Sequence, residues 1–314
     1  MTPDGLENPT LHVHPGDHLI VTIRVDPRSF AVDVMRLVAA PQRCTLFPEM
    51  PDQLSPRNNS TIAVITGGTQ GLGFAIAKRL ALEGAPGIII SGRSRDRGQS
   101  AAKELQALGT DCLFVTADVS LVDDCHRLMD AAFKRFGGVN GLVNSAAATD
   151  RGNLLDTTLE IWDRHFNTNV RGPFLLMQRL VAHLVETGKP GSIVNILSMA
   201  AHCGQSYLTP YSASKGALAT LTKNVANAFA TKRIRCNGIM VGWMDTPGET
   251  ATQQKFHGAA EDWLSKAEAV QRMGQLVKPD QLAGLVTYML SPESGVMTGA
   301  LVDYDQNVAG AYPE

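Results

Sequence analysis

Thr66-Gly67-Gly68-Thr69-Gln70-Gly71-Leu72-Gly73 follows the β-branched run Ile62-Ala63-Val64-Ile65 and leads into an amphipathic stretch, 72–83. A strand passes into a helix through a turn rich in glycine. Side chains at Gly67, Gly71 and Gly73 would keep a phosphate from the backbone, and the first N–H groups of the helix point at an anion placed there. The turn therefore has the composition of a dinucleotide cradle, spaced GxxxGxG where the commoner fingerprint is GxGxxG. By itself it is also compatible with an ordinary strand-to-helix connection.

Outward from this turn, short apolar runs alternate with longer amphipathic ones. Strands are expected at 88–90, 112–115, 139–144, 192–197, 234–241 and 300–304, with helices at 95–108, 121–136, 159–186, 210–231 and 279–290. With the strand before the glycines this makes about seven, separated by helices, as in an α/β domain with a doubly wound, Rossmann-type, mostly parallel sheet. Residues 60–314 are read as one domain of that kind, with a loosely patterned substrate loop at 243–273. Residues 1–59 differ in kind: Pro15, Pro27, Pro41, Pro48, Pro51 and Pro56 punctuate them, and 19–25 is the one clear strand. They are read as an N-terminal extension ending in a linker, 48–59. Within it, 8–22 weakly resembles an opening strand segment of cupredoxin domains, but His12, His14 and His18 lack the remaining copper ligands, so no metal site is expected.

Composition narrows the function classes. Of 314 residues 44% are hydrophobic and 18% charged, the formal charge is -2, and no run of 18 apolar residues occurs, which argues against a nucleic-acid surface and a membrane span. Arg93, Arg95 and Arg97 form the one notable basic cluster. The five cysteines are scattered without a CxxC pair, so neither a disulfide framework nor a zinc site is expected, and a reducing, cytoplasmic compartment fits best. The N-terminus has Asp4 and Glu7 and no apolar h-region, unlike a secretory signal or a transit peptide.

Tyr211 stands four residues before Lys215, so the two share one helical face and point into one cleft. A free phenol titrates near ~10, and a neighbouring ammonium that favours phenolate brings it toward use as a base at neutral pH. Ser198 closes the strand 192–197, at the carboxyl end where doubly wound sheets bind ligands. Alone, such a serine is more often a turn hydroxyl.

TGGTQGLG together with Tyr-Ser-Ala-Ser-Lys resembles the short-chain dehydrogenase/reductase family, in its branch of about 250 residues, over Ser60 to about Asn307. The resemblance implies Asn169, Ser198, Tyr211 and Lys215 as the catalytic set: Ser198 on the substrate oxygen, Tyr211 as general acid/base, Lys215 lowering the phenol pKa and binding the nicotinamide ribose, Asn169 supporting a proton relay. It implies cofactor contacts at Gly67, Thr69, Gln70, Gly71, Leu72, Gly73, Asp118, Val119, Asn144, Ala146, Gly242 and Thr246, besides Tyr211 and Lys215. This chain departs from the family where Asn-Ser-Ala-Ala replaces Asn-Asn-Ala-Gly at 144–147, where Val241-Gly242 replaces Pro-Gly, and where Asp305-Gln306-Asn307 stands in a usually glycine-rich tail. The last is expected to affect subunit contacts more than chemistry.

After the second strand comes Ser91-Gly92-Arg93, with no carboxylate to accept ribose hydroxyls, so Arg93 is a candidate partner for a 2′-phosphate and NADP is favoured, NAD being the alternative. His202, Tyr207 and Trp243, with Ser198 and Tyr211, are the candidate substrate residues. Met244, Phe256, His257 and Trp263 are candidates for an apolar-to-mixed pocket, although packing roles suit Phe256 and Trp263 equally well. Cys203 has no adjacent activator and is not read as a nucleophile. The expected function is hydride transfer between a nicotinamide and a small-molecule secondary alcohol or ketone. The alternative is a non-catalytic dinucleotide-sensing or scaffold protein. An enoyl reductase is disfavoured because that branch resembles a longer Tyr-to-Lys spacing. The family further implies a homodimer or homotetramer through the long helices.

Overall fold

The computed structural model of the chain describes residues 55–311, which belong to one compact unit, Pro51–Glu314. The expectations placed on residues 1–54, including the strand at 19–25, the three histidines and the cupredoxin-like stretch, lie outside it. Of the 48–59 linker, residues 55–59 are described.

Seven strands form one sheet: β1 (Ile62–Thr66), β2 (Gly87–Gly92), β3 (Asp111–Thr116), β4 (Gly141–Asn144), β5 (Gly191–Ile196), β6 (Ile234–Val241) and β7 (Leu301–Tyr304). All pairs are parallel and the order is β3-β2-β1-β4-β5-β6-β7. Parallel neighbours need crossovers, and helices supply them: α1 (Gly71–Leu82), α2 (Arg95–Ala107), α3 (Val122–Phe136), α4 (Leu159–Phe166), α5 (Gly172–Thr187), α6 (Thr209–Phe229) and α9 (Pro279–Leu290). The strand order reverses between β1 and β4, which opens a crevice at their carboxyl ends, the place where such sheets take ligands.

The strand period of two sorts the core into two layers. Ala63, Ile65, Ile88 and Ile90 face α1, α2 and α9 through Ile76, Leu80, Leu105, Leu282 and Val286. Val64, Ile89, Leu142 and Ile193 face α3, α5 and α6 through Leu128, Met129, Leu176, Leu180 and Leu218. Each of these Val, Leu, Ile and Met side chains, fully buried, contributes about 1.5–3 kcal/mol from transfer out of water. Helix starts follow local chemistry: Ser94 and Thr158 cap α2 and α4 by accepting from Arg97 N and Ile161 N, while α6 and α9 carry Pro210 and Pro279 in their first turns.

Two elements differ from expectation. The single helix expected over 159–186 is interrupted, because Asn167–Arg171 widens into a π turn between α4 and α5. The loose stretch after Gly242 holds two short helices, α7 (Pro247–His257) and α8 (Trp263–Ala269), the second packed in a small apolar cluster of Trp263, Ala267 and Leu276. Among the described residues no helix is long and apolar enough to cross a membrane.

Candidate active site

The glycine turn lies at the reversal point. Gly67 has φ +66°, a left-handed conformation that favours glycine, and a Cβ there would also press to 3.1 Å from Ala146 Cα. A Cβ on Gly73 would overlap the Gly67 carbonyl. The backbone is thus bare where a pyrophosphate would meet the first amides of α1, and the cradle fits a dinucleotide. Across it stands Thr246, whose Cβ would lie 3.5 Å from a Cβ on Gly71 and whose Oγ1 caps α7 by accepting from Glu249 N at 3.0 Å.

Thr66 ties the turn to the next strand: its Oγ1 accepts from Ser145 N (3.0 Å) and Ala146 N (3.1 Å), which fixes the start of the Asn-Ser-Ala-Ala loop. Ala147, the departure from glycine, is exposed, so its methyl group meets open space. Asn144 is buried; its Nδ2 donates to Asn195 Oδ1 at 2.7 Å, Asn195 Nδ2 donates to Thr222 Oγ1 at 2.9 Å, and Thr222 donates to Leu218 O. This polar ladder joins β4, β5 and α6 under the crevice. Asn144 Oδ1 and Ser91 Oγ are buried with no hydrogen bond among the described residues, one on each side of β1.

The remaining cofactor candidates are placed as follows. Thr69 packs against the end of β2, where a Cβ on Gly92 would meet it at 2.8 Å. Leu72 is buried and Gln70 exposed, its Oε1 accepting from Arg97 Nη1. Arg93 is exposed. Asp118 turns its carboxylate onto Ser120, accepting from the backbone N (2.9 Å) and Oγ (2.7 Å), so it organises the β3–α3 turn. Val119 is buried beside it. Gly242 faces the C-terminal tail, where a Cβ would overlap the Asp305 carboxylate.

The four residues expected to form a catalytic set gather at the carboxyl ends of β4 and β5. Ser198 follows β5 and accepts from Ala200 N at 3.2 Å. Tyr211 lies in the first turn of α6 and Lys215 one turn on, with Nζ 5.7 Å from the phenol ring centroid and donating to Ile196 O at 2.7 Å. Burial pushes Lys215 down to about 8. Desolvation raises Tyr211; Ser198 lowers it through a side-chain hydrogen bond, Glu249 raises it and Arg151 lowers it. Desolvation is the largest of these influences, and Lys215 is not among them. Asn169 lies in the π turn, fully buried: its Oδ1 accepts from Ala148 N (2.8 Å) and its Nδ2 donates to Ala148 O (3.1 Å) and Ser214 Oγ (2.9 Å). Ser214 in turn donates to Tyr211 O at 2.7 Å. One amide therefore clamps the loop after β4 to the start of α6. The extra residue of a π turn re-aims a side chain, and such turns recur at functional sites.

Of the substrate candidates, Tyr207 and Trp243 are exposed beside the cleft, and Trp243 Nε1 donates to Glu249 Oε1 at 2.9 Å. His202 turns away to pair with Asp303 of β7 at 2.7 Å, so it is held at the sheet edge. Cys203 is exposed. Trp263 packs in the small cluster around α8 and tilts against Trp243 at 6.2 Å between centroids. Residues that sequence spacing does not single out complete the site: Ser214, Asn195 and Thr222 beneath it, Arg151 and Glu249 around it, and the buried His165, edge-on to the Tyr211 ring at 6.3 Å. Ser214, inside Tyr-Ser-Ala-Ser-Lys, is one residue from Lys215; the others carry no local signal. Among the described residues no group of three or more His, Cys, Asp or Glu side chains is placed to hold a metal ion.

A family model described as enoyl-(acyl carrier protein) reductase matches residues 67–306. Dehydrogenase/reductase SDR family member 4 of Mus musculus is 33% identical over 252 residues, covering 79% of this chain and 88% of the relative. The Homo sapiens dehydrogenase/reductase SDR family member 2, mitochondrial, is 33% identical over 241 residues, covering 76% and 82%. Among solved structures, a variant of actinorhodin polyketide ketoreductase with NADPH superposes with a TM-score of 0.75 at 27% identity, covering 82% of this chain and all of that one.

Proposed function

The chain belongs to the short-chain dehydrogenase/reductase family of NAD(P)-dependent oxidoreductases, and from that premise we propose that Tyr211 serves as general acid/base for a secondary alcohol or ketone substrate. The observation that carries the reading is the convergence of Tyr211, Ser198, Lys215 and Asn169 on the crevice beside the glycine cradle. When bound, the nicotinamide donates or accepts the hydride. Ser198 and Tyr211 hydrogen-bond the substrate oxygen, which stabilises charge developing on it, and Tyr211 passes the proton so that no bare alkoxide forms. Lys215, about 8, still carries its charge at pH 7 and holds the ribose and the phenol side of the cleft. Asn169 keeps the loop after β4 in register with Tyr211 through Ala148 and Ser214.

NADP is the favoured dinucleotide. No carboxylate follows β2, Arg93 is free to face a 2′-phosphate, and Arg97 brings a second guanidinium to Gln70 in the glycine turn. The enoyl reductase named by the family model reduces a carbon–carbon double bond, whereas the four-residue step from Tyr211 to Lys215 supports alcohol and carbonyl chemistry, as does the ketoreductase likeness. A homo-oligomer is proposed through the long helices, where an open groove of about 450 Å³ between the π turn, α5 and α6 has a mixed lining that includes Phe166, Val170, Phe174 and Leu221 with Arg171 and Asn224. The four described cysteines are unpaired and three are buried, which supports a reducing compartment such as the cytoplasm.

Tyr211→Phe tests the reading. It is expected to lower turnover at least about 10²-fold while NADPH and NADH still titrate the protein fluorescence. Activity that survives the change, or a wild-type protein that binds neither dinucleotide, sinks it, and the latter outcome favours a scaffold.

A further inference from the structure

The wall of the cleft opposite the cradle carries an ion pair that the oxidoreductase chemistry does not use. Arg151, in the loop after β4, and Glu249, in the first turn of α7, approach to 3.8 Å with side chains only 16% and 19% exposed. Glu249 spends one oxygen on its neighbours: Oε1 accepts from Trp243 Nε1 (2.9 Å) and Gln253 Nε2 (2.7 Å) and is also the atom nearest Arg151. Its Oε2 makes no hydrogen bond among the described residues. Arg151 gives Nη1 to Thr149 O (3.1 Å) and Nε to His257 Nε2 (3.5 Å) and lies 5.9 Å over the Tyr207 ring. Its Nη2 has only the 3.8 Å approach to Glu249, beyond hydrogen-bond range. Both charges border the reacting group: the field of each reaches Tyr211, and Gly152, next to Arg151, accepts from Thr209 N in the first turn of α6.

We propose that Arg151 and Glu249 select a neutral, hydroxylated substrate, holding a second hydroxyl besides the one that Tyr211 serves; this rests on the oxidoreductase reading above. A free donor beside a free acceptor matches a hydroxyl, which gives one hydrogen bond to Glu249 Oε2 and takes one from Arg151 Nη2, both charge-assisted. The alternatives each meet a penalty. A carboxylate on the substrate faces Glu249, an ammonium faces Arg151, and a hydrocarbon strips water from both charges without replacing it. The exposed faces of Tyr207 and Trp243 flank the pair and suit the carbon skeleton of a polyol or hydroxyketone.

The test uses the full chain, with NADP and with NAD, on three probes of one ring size: trans-1,2-cyclohexanediol, cyclohexanol and 2-hydroxycyclohexanecarboxylate. The diol is expected to exceed both others in kcat/KM by about tenfold or more. In Glu249→Gln and Arg151→Met the ratio of diol to cyclohexanol falls toward unity, mainly through KM, and Arg151→Lys restores part of it. Preference for cyclohexanol or for the carboxylate overturns the inference, as does a ratio that the variants leave in place. A protein that binds NADPH but oxidises none of the probes overturns this inference alone. One that binds neither dinucleotide overturns the oxidoreductase reading with it.

Discussion

Burying Lys215 beneath Tyr211 has a consequence for stability as well as chemistry. The folded protein holds this ammonium at about 8, against 10.5 for the exposed group, because burial disfavours its charge and one hydrogen bond to Ile196 O does not replace its water. Below pH 8 both states are protonated, and the folded state carries the full penalty of about 3 kcal/mol. Between pH 8 and 10.5 the unfolded chain binds more protons at this position than the folded one, so stability rises with pH through that window. Tyr211, raised in the fold by desolvation, acts in the opposite sense only above its ordinary value near 10. Lys215→Met is therefore expected to be inactive yet more stable than the wild type in urea at pH 7, with the difference shrinking toward pH 10. A variant less stable at pH 7, or a difference that does not change with pH, contradicts this account of the lysine.

At the scale of elements, the segment 243–278, which includes the proposed substrate loop, is held by contacts from residues 305 and 306. Gln306 accepts from Met273 N at 2.6 Å and donates to Gln275 O at 2.8 Å, while Asp305 packs on Gly242 and accepts from Gln306 N. Lys278 pins the same region from the other side by donating to Asp245 (2.8 Å) and Glu268 (2.6 Å); desolvation opposes its charge, but these carboxylates leave its pKa raised. The departure at Asp-Gln-Asn thus has a role within the chain: it ties the segment after α8 to the end of β6. Each lost hydrogen bond of Gln306 costs about 1 kcal/mol. Gln306→Ala is expected to speed amide exchange across residues 271–277 and to raise KM several-fold more than it lowers kcat, and unchanged exchange there sinks the assignment. The strands and the crossover helices are legible in sequence because their periods, glycines and prolines are local signals, and α9 begins at Pro279 as expected. The π turn is not legible, since Asn167–Arg171 continues a helical pattern and its widening depends on the tertiary bonds of Asn169 to Ala148 and Ser214. Nor is the Arg151–Glu249 pair, whose members are brought together only by the fold.

Over the whole described molecule, distant parts of the chain meet at Glu83, at the C-terminal end of α1 and 1% exposed. Its carboxylate accepts from Arg57 Nε (2.9 Å) and Nη2 (2.7 Å), Asn58 Nδ2 (2.7 Å), Arg79 Nε (2.6 Å) and Thr287 Oγ1 (3.2 Å). Arg57 also reaches Gly284 O, and Asn58 reaches Thr287 O, so residues read as the end of a linker are built into the junction of α1 with α9. Prolines before residue 57 suggest an unstructured connection, and the partners that contradict it lie 26 and some 230 positions away, beyond any local pattern. A buried carboxylate serving two guanidinium groups is stable only while its partners are in place, and removing it takes from Arg57, 16% exposed, the carboxylate it pairs with. Glu83→Ala is expected to destabilise the protein by about 3–5 kcal/mol. Glu83→Gln, which keeps the shape and loses the charge, should cost less but still lower the midpoint of chemical denaturation. Because the network is at the amino end of β1, across the sheet from Tyr211, the NADPH affinity of the folded Glu83→Gln protein should match the wild type. A denaturation midpoint that neither variant moves removes Glu83 as the tie between the first described residues, α1 and α9.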